Sequence, residues 1–223
     1  MDGPQRGLLG GSGAVWLEKG LQRPRFDSPS FLDPVSSPAD AAALAGFLEH
    51  EHLEIEIGPG RGWFIEEMAR AWPLRRFLLI EARGRYVRMT LRRLDRAGVD
   101  NVRVVYGDAR ELLAALVPEG AARALYLLFP DPWWKNRHVR KRVSTPEFLR
   151  TVETRLRSDG VLVFRSDVEE YVARMDELAG EAGFRRLPEP PPGVALSHRH
   201  RKCLAQGVLV WERVYGRCME RSV

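Results

Sequence analysis

Five short apolar runs, each carrying an acid at or near its end and each followed by a helical stretch, constrain this chain more than any other feature. They are "LEIEIG" (53–58), "RFLLIEA" (76–82), "VRVVYGD" (102–108), "RALYLLFPD" (123–131) and "VLVFRSD" (161–167). The segments between them space their apolar residues as helices do: "RGWFIEEMARAW" (61–72), "RYVRMTLRRLDRAG" (85–98), "ARELLAALVP" (109–118) and "TPEFLRTVETRLRSDG" (145–160). The last offers Thr145 as N-cap, Pro146 at the first helical position and Gly160 as its stop. A further helix, "VEEYVARMDELAGEAG" (168–183), and a late strand, "GVLVWERVY" (207–215), complete the series. Strands that are apolar throughout are buried on both faces. Their alternation with helices predicts an α/β fold, a central, mostly parallel sheet with helices on both faces. Residues 1–38, rich in Gly, Pro and Ser, are expected to form an irregular arm ahead of one domain over 39–223.

Composition narrows the class. The hydrophobic fraction of 44% and charged fraction of 29% are those of a soluble globular chain. No apolar run approaches the roughly 18 residues of a membrane span, and the first residues do not read as a signal peptide. The two cysteines, Cys203 and Cys218, form no CxxC pair, and the five histidines show no metal spacing. These features predict a cytoplasmic protein without disulfide or metal. Net charge is +5, with basic residues dense at 135–142 and 198–202; the surplus fits either a polyanionic partner or an arginine-rich composition set by genome bias or heat adaptation.

In an open α/β sheet, ligands bind beyond the carboxyl ends of the strands. Those ends here carry Glu56 with Gly58, then Glu81, Asp108, Asp131 and Asp167. Gly58 and Gly60, in the turn "GPGRG", would let the backbone approach a ligand closely. Glu81 lies 21 residues beyond Gly60, a placement suited to accepting from two ribose hydroxyls. A pyrophosphate would be repelled by so many carboxylates. The set suits a cofactor with no phosphate and a cationic centre, as S-adenosylmethionine has, with Asp108 and Ala109 placed to meet the adenine. Any one of these acids could instead be a helix cap.

The strings "EIGPGRG", "IEA", "GDA" and above all "FPDPWWKNRHVRKRVSTPEFL" resemble the bacterial tRNA (guanine-N7-)-methyltransferase family, which has a Rossmann-like class I S-adenosylmethionine-dependent fold. The resemblance is strongest over residues 53–170. It implies that Glu56, Glu81 and Asp108 bind the cofactor, that Asp131 belongs to the active site and also meets the cofactor, and that Lys135 and Asp167 contact substrate. It further implies methyl transfer to N7 of a guanosine in the variable loop of tRNA. The family's C-terminal Thr-x-Tyr/Phe-Glu motif is not intact. Its best match is Ser197-His198-Arg199-His200, which implies substrate contacts from Ser197, which would keep a hydroxyl, and from His200, which replaces the carboxylate. Trp134 and Asn136 also depart from the family pattern.

In the basic run, Lys135, Arg137, Arg140, Lys141 and Arg142 would meet tRNA phosphates, with affinity that falls with salt. Trp133 or Trp134 could stack on a base or pack in the core. The partner expected is tRNA, bound by a monomer or homodimer. Two alternatives stay open at this level. One is an amino-group methyltransferase of nucleic acid, which carries an Asp/Asn-Pro-Pro-aromatic motif near to Asp131-Pro132-Trp133. The other is a non-catalytic RNA-binding protein on a degenerate methyltransferase scaffold. An NAD-dependent oxidoreductase is disfavoured by the acid-lined pocket and by the lack of a hydride-transfer pair.

Overall fold

A computed structural model describes residues 24–131, 144–189, 191 and 193–218. The first half of the chain runs β1 (Phe31–Leu32), α1 (Pro38–Leu48), β2 (Leu53–Ile57), α2 (Trp63–Ala71), β3 (Arg76–Glu81), α3 (Gly84–Ala97), β4 (Val102–Tyr106) and α4 (Ala109–Leu116). The second half runs β5 (Ala122–Leu128), α5 (Pro146–Arg155), β6 (Leu156–Ser166), α6 (Glu169–Glu181), β7 (Phe184–Leu187), α7 (His198–Ala205) and β8 (Trp211–Arg217).

These strands form one sheet in the order β1-β4-β3-β2-β5-β6-β8-β7. Every pairing is parallel except β6 with β8 and β7 with β8, which are antiparallel. From β2 the chain steps outward through β3 and β4, and from β5 it steps the opposite way into β6. The crevice beyond β2 and β5 is therefore the topological switch point, where such sheets bind ligands.

The sheet is buried on both faces, and β2 is buried throughout, its two glutamates included. Ile55, Ile57, Leu125 and Leu127 pack under α1, α4, α5 and α6, through Phe47, Leu113, Phe148 and Tyr171 among others. Leu79, Tyr126 and Leu128 face the other way, onto Phe64, Ile65 and Met68 of α2 and Val87, Leu91 and Leu94 of α3. One polar cluster is set into this second layer. Buried Glu54 accepts from the Tyr126 hydroxyl at 2.8 Å and from Arg75 at 2.8 Å. Arg75 in turn lies 3.8 Å over the ring of Trp72.

Two expectations need correction. The described part of the arm is not irregular throughout. Phe31 and Leu32 pair with Val104 and Val105 as an edge strand, and Phe26 packs edge-on against Phe31 at 4.8 Å. A two-residue strand leaves no periodic trace in a sequence. Residues 145–160 are also not one helix. The Thr145 hydroxyl caps α5 by accepting from the Phe148 amide at 3.2 Å, but the helix ends at Arg155 and β6 begins at Leu156. Gly160 lies within the strand. A Cβ there would stand 2.9 Å from both the Ala122 carbonyl oxygen and the Arg157 nitrogen, so close backbone approach demands the glycine.

Candidate active site

A cleft of about 1010 Å³ opens at the switch point. Its donor-side wall is the turn joining β2 to α2. Gly58, Gly60 and Gly62 have φ of 71°, 58° and 72°, the left-handed region that glycine enters without cost. No atom lies within 4 Å of where a Cβ on Gly58 would stand, so the turn presents bare backbone to the cleft. Gly62 faces the other way, and its Cβ would meet Thr90 Cγ2 at 3.0 Å. Thr90 also donates from its hydroxyl to the Gly60 carbonyl at 3.1 Å, tying the turn to α3.

Three of the predicted acids stand around this turn. Glu56 is 3% exposed, and its Oε2 has no hydrogen-bond partner among the described residues. Burial, and then the charge of Glu81, pushes its carboxyl up to about 8. Glu81 accepts from the amides of Gly60 at 3.2 Å and Arg83 at 2.8 Å. Burial raises it too, and those two bonds oppose the rise. Asp108 caps α4 by accepting from the Arg110 amide at 3.0 Å. Burial pushes its carboxyl up, but the ion pair with the Arg110 side chain and the amide bond outweigh burial and hold it low. Ala109 opens α4 on the same wall.

The opposite wall comes from β5, β6 and α7. Phe129, just past β5, has φ 52°, a conformation that costs a bulky residue roughly 1–2 kcal/mol. Its amide donates to the Arg165 carbonyl at 2.7 Å, which fixes the bend. The chain then turns through Pro130 to place Asp131, exposed, on the cleft lining. Asp167 follows β6, is ion-paired with Arg199 of α7, and lies 3.8 Å from the Cys203 sulfur. The Ser197 oxygen caps α7 by accepting from the His200 amide at 3.2 Å. Ser197 lines the cleft, whereas His200 is not among its lining residues. The His200 ring lies against Phe129 with centroids 5.9 Å apart, and its Nδ1 is buried without a described partner. Burial and then Arg165 lower the His200 pKa, with Glu212 opposing.

The cleft thus gathers Glu56, Gly58, Gly60, Glu81, Asp108, Ala109, Asp131, Asp167 and Ser197. Trp133, Trp134, Lys135, Arg137, Arg140, Lys141 and Arg142 lie outside the described residues.

Residues 50–211 match the family described as "Putative methyltransferase". A tRNA (guanine-N(7)-)-methyltransferase of Syntrophotalea carbinolica is 37% identical over 190 residues, covering 81% of this chain and 80% of that one. The protein of the same name from Myxococcus xanthus is 35% identical and covers 86% and 96% respectively. This chain belongs to the tRNA (guanine-N(7)-)-methyltransferase family. Among solved structures, the 16S rRNA methyltransferase KamB superposes with a TM-score of 0.57 at 17% identity, over 81% of this chain and 94% of that one. The aminoglycoside resistance methyltransferase NpmB1 gives 0.55 at 17%, over 79% and 93%. Both share the class I S-adenosylmethionine-dependent methyltransferase fold.

S-Adenosylmethionine is the methyl donor of this methyltransferase, and the residues present fit it. The unpartnered Oε2 of Glu56 is a buried acceptor for an ammonium group. Glu81, held by two amides, keeps lone pairs for hydroxyls. The open Gly58–Gly60 turn admits a close-lying ligand.

Three site features escaped the sequence reading: the Arg110 pair to Asp108, the Arg199 pair to Asp167, and the left-handed Phe129. The Asp108–Arg110 spacing was a usable signal for the first. Arg199 and Asp167 are 32 residues apart, and only the fold brings them together.

Proposed function

We infer that this chain transfers a methyl group from S-adenosylmethionine to N7 of a guanosine in tRNA, and that the guanosine lies in the variable loop. The observation that carries the reading is one cleft, at the switch point of a family member, in which an acid-lined donor wall faces Asp131.

Guanine N7 carries an in-plane lone pair and no proton, so no general base is required. The bound cofactor supplies a methyl group already activated by its sulfonium. The chain contributes proximity and alignment, which can lower a barrier by about 7–11 kcal/mol. Glu56 neutralises the amino end of the donor, Glu81 holds its ribose, and Asp108 with Ala109 borders the adenine. Asp131 acts as an orienting and electrostatic group toward the guanine. The bent backbone at Phe129, anchored to Arg165, sets its position. Asp167 and Ser197 border the space left for substrate. Lys135, Arg137, Arg140, Lys141 and Arg142 follow Asp131 closely in sequence and grip phosphate.

No helix of the described residues is long and apolar enough to cross a membrane, and no three of their His, Cys, Asp or Glu side chains form a metal-binding group. The protein works in the cytoplasm as a monomer or homodimer. The test is transfer of labelled methyl to unmodified tRNA, followed by borohydride and aniline treatment. Cleavage at one guanosine, in the variable loop, is expected. Methylated but cleavage-resistant tRNA would move the acceptor to another atom.

A further inference from the structure

Trp63, the first residue of α2, is 39% exposed, unlike the buried Phe64, Ile65 and Met68 that follow it. An exposed indole at the rim of a binding cleft needs a reason, because burying it would be favourable. Its surroundings are basic and aromatic. The Arg93 guanidinium lies 4.0 Å over the ring, held there by a 2.6 Å ion pair to Glu66 and a 2.9 Å bond from its Nε to the Arg61 carbonyl. The exposed His198 ring lies 5.9 Å from the indole, inclined by 37°. Arg61 and His198 both line the cleft. Lys202, one helical turn beyond His198, is exposed.

We propose that Trp63 and His198 form a wedge that clasps a single unpaired base of the RNA substrate, next to the guanosine being methylated, while Arg61 and Lys202 take the flanking phosphates. The proposal rests on the tRNA reading above. Two rings that sandwich a base stand about 6.8 Å apart, twice the spacing of stacked bases. The observed pair needs an opening of about 1 Å and a levelling of the tilt, both within reach of an exposed histidine side chain. Burial, and then Arg61, Lys202 and Arg93, lower the His198 pKa, so the ring stays neutral and free to stack at neutral pH. Arg93 is tied to Glu66 and to the Arg61 carbonyl, which holds its guanidinium over the indole. Stacking on an aromatic tolerates any base, so the wedge gives affinity rather than sequence choice.

Trp63→Ala is expected to raise the KM for tRNA about five- to hundredfold, from the usual worth of base stacking. Its kcat should stay within about threefold of the wild type, and its affinity for S-adenosylmethionine should not change. Trp63→Phe keeps a stacking face and should restore most of the loss. Tryptophan emission should be quenched by tRNA in the wild type and less so in Trp63→Phe. A KM unchanged in Trp63→Ala overturns the wedge, as does a loss of cofactor affinity equal to the loss for tRNA. The same variants are also titrated with tRNA at equilibrium. If the wild type binds tRNA but methylates none, the functional reading fails while the wedge is still tested.

Discussion

Glu56, next to last in β2, and Glu81, last in the neighbouring β3, lie close enough that the charge of Glu81 adds to burial in keeping a proton on Glu56 up to about pH 8. The unfolded chain gives that proton up near its ordinary value of 4.5. The folded state therefore binds the extra proton between those limits, and stability falls as pH rises through the window. Glu56→Gln should flatten this slope, measured as melting temperature against pH. Cofactor binding has the opposite sign. The donor's ammonium group favours the carboxylate, so affinity should rise toward about pH 8 and binding should release a proton. Calorimetry in buffers of different ionisation enthalpy reads that proton. A pH-independent affinity in the wild type would remove Glu56 from the ammonium site.

The glycines of the donor turn should separate binding from stability. Gly58→Ala meets open space and only a left-handed backbone, at about 1–2 kcal/mol, but adds a methyl group to the cleft wall that the proposed reading gives to the cofactor. Cofactor affinity should fall at least tenfold with a modest loss of melting temperature. Gly62→Ala adds a contact of 3.0 Å with Thr90 to the same backbone cost, so it should lose more stability. Chemical denaturation beside cofactor titration distinguishes the two.

Asp131→Ala should abolish most methyl transfer, by about 100-fold or more, as removal of a preorganised electrostatic group does. Circular dichroism and melting should be unchanged, since the residue is exposed. Single-turnover rates at saturating tRNA are the measurement, and full activity would overturn the assignment.

Arg75→Ala should cost about 3–5 kcal/mol of stability, because it strands Glu54 in the core with Tyr126 as its remaining described partner. Glu54→Gln, which keeps an acceptor for Tyr126 and removes the charge, should rescue part of the loss in the double variant. Urea midpoints of the four proteins give the coupling.

The strands that build the donor wall were legible because β3 to β5 are mostly apolar and β2 alternates with a strand's period of two, with Gly58 and Gly107 marking two of their ends. The acids were legible because each stands within three residues of its strand's carboxyl end. The helix stop was misread at Gly160. There a glycine required by the Ala122 carbonyl was indistinguishable from a terminator. Helix α1 escaped because its apolar residues go round the axis and "PADAAALAGFL" shows no face. On the acceptor side, Ser197 and His200 were taken together as substrate contacts. In the structure the Ser197 oxygen caps α7 while the residue still lines the cleft, and the His200 ring lies against Phe129, a consequence of helix phase that spacing did not reveal.

The crossing between β2 and β5 also bears on how such a chain diverges. On the proposed reading, most of the donor pocket is encoded by one contiguous stretch, from β2 to the start of α4, while the rest of the cleft lining comes from later segments. On the same reading, substitutions in α7 would retune which nucleotide is accepted and leave the residues of β2 to α4 that hold the methyl donor intact.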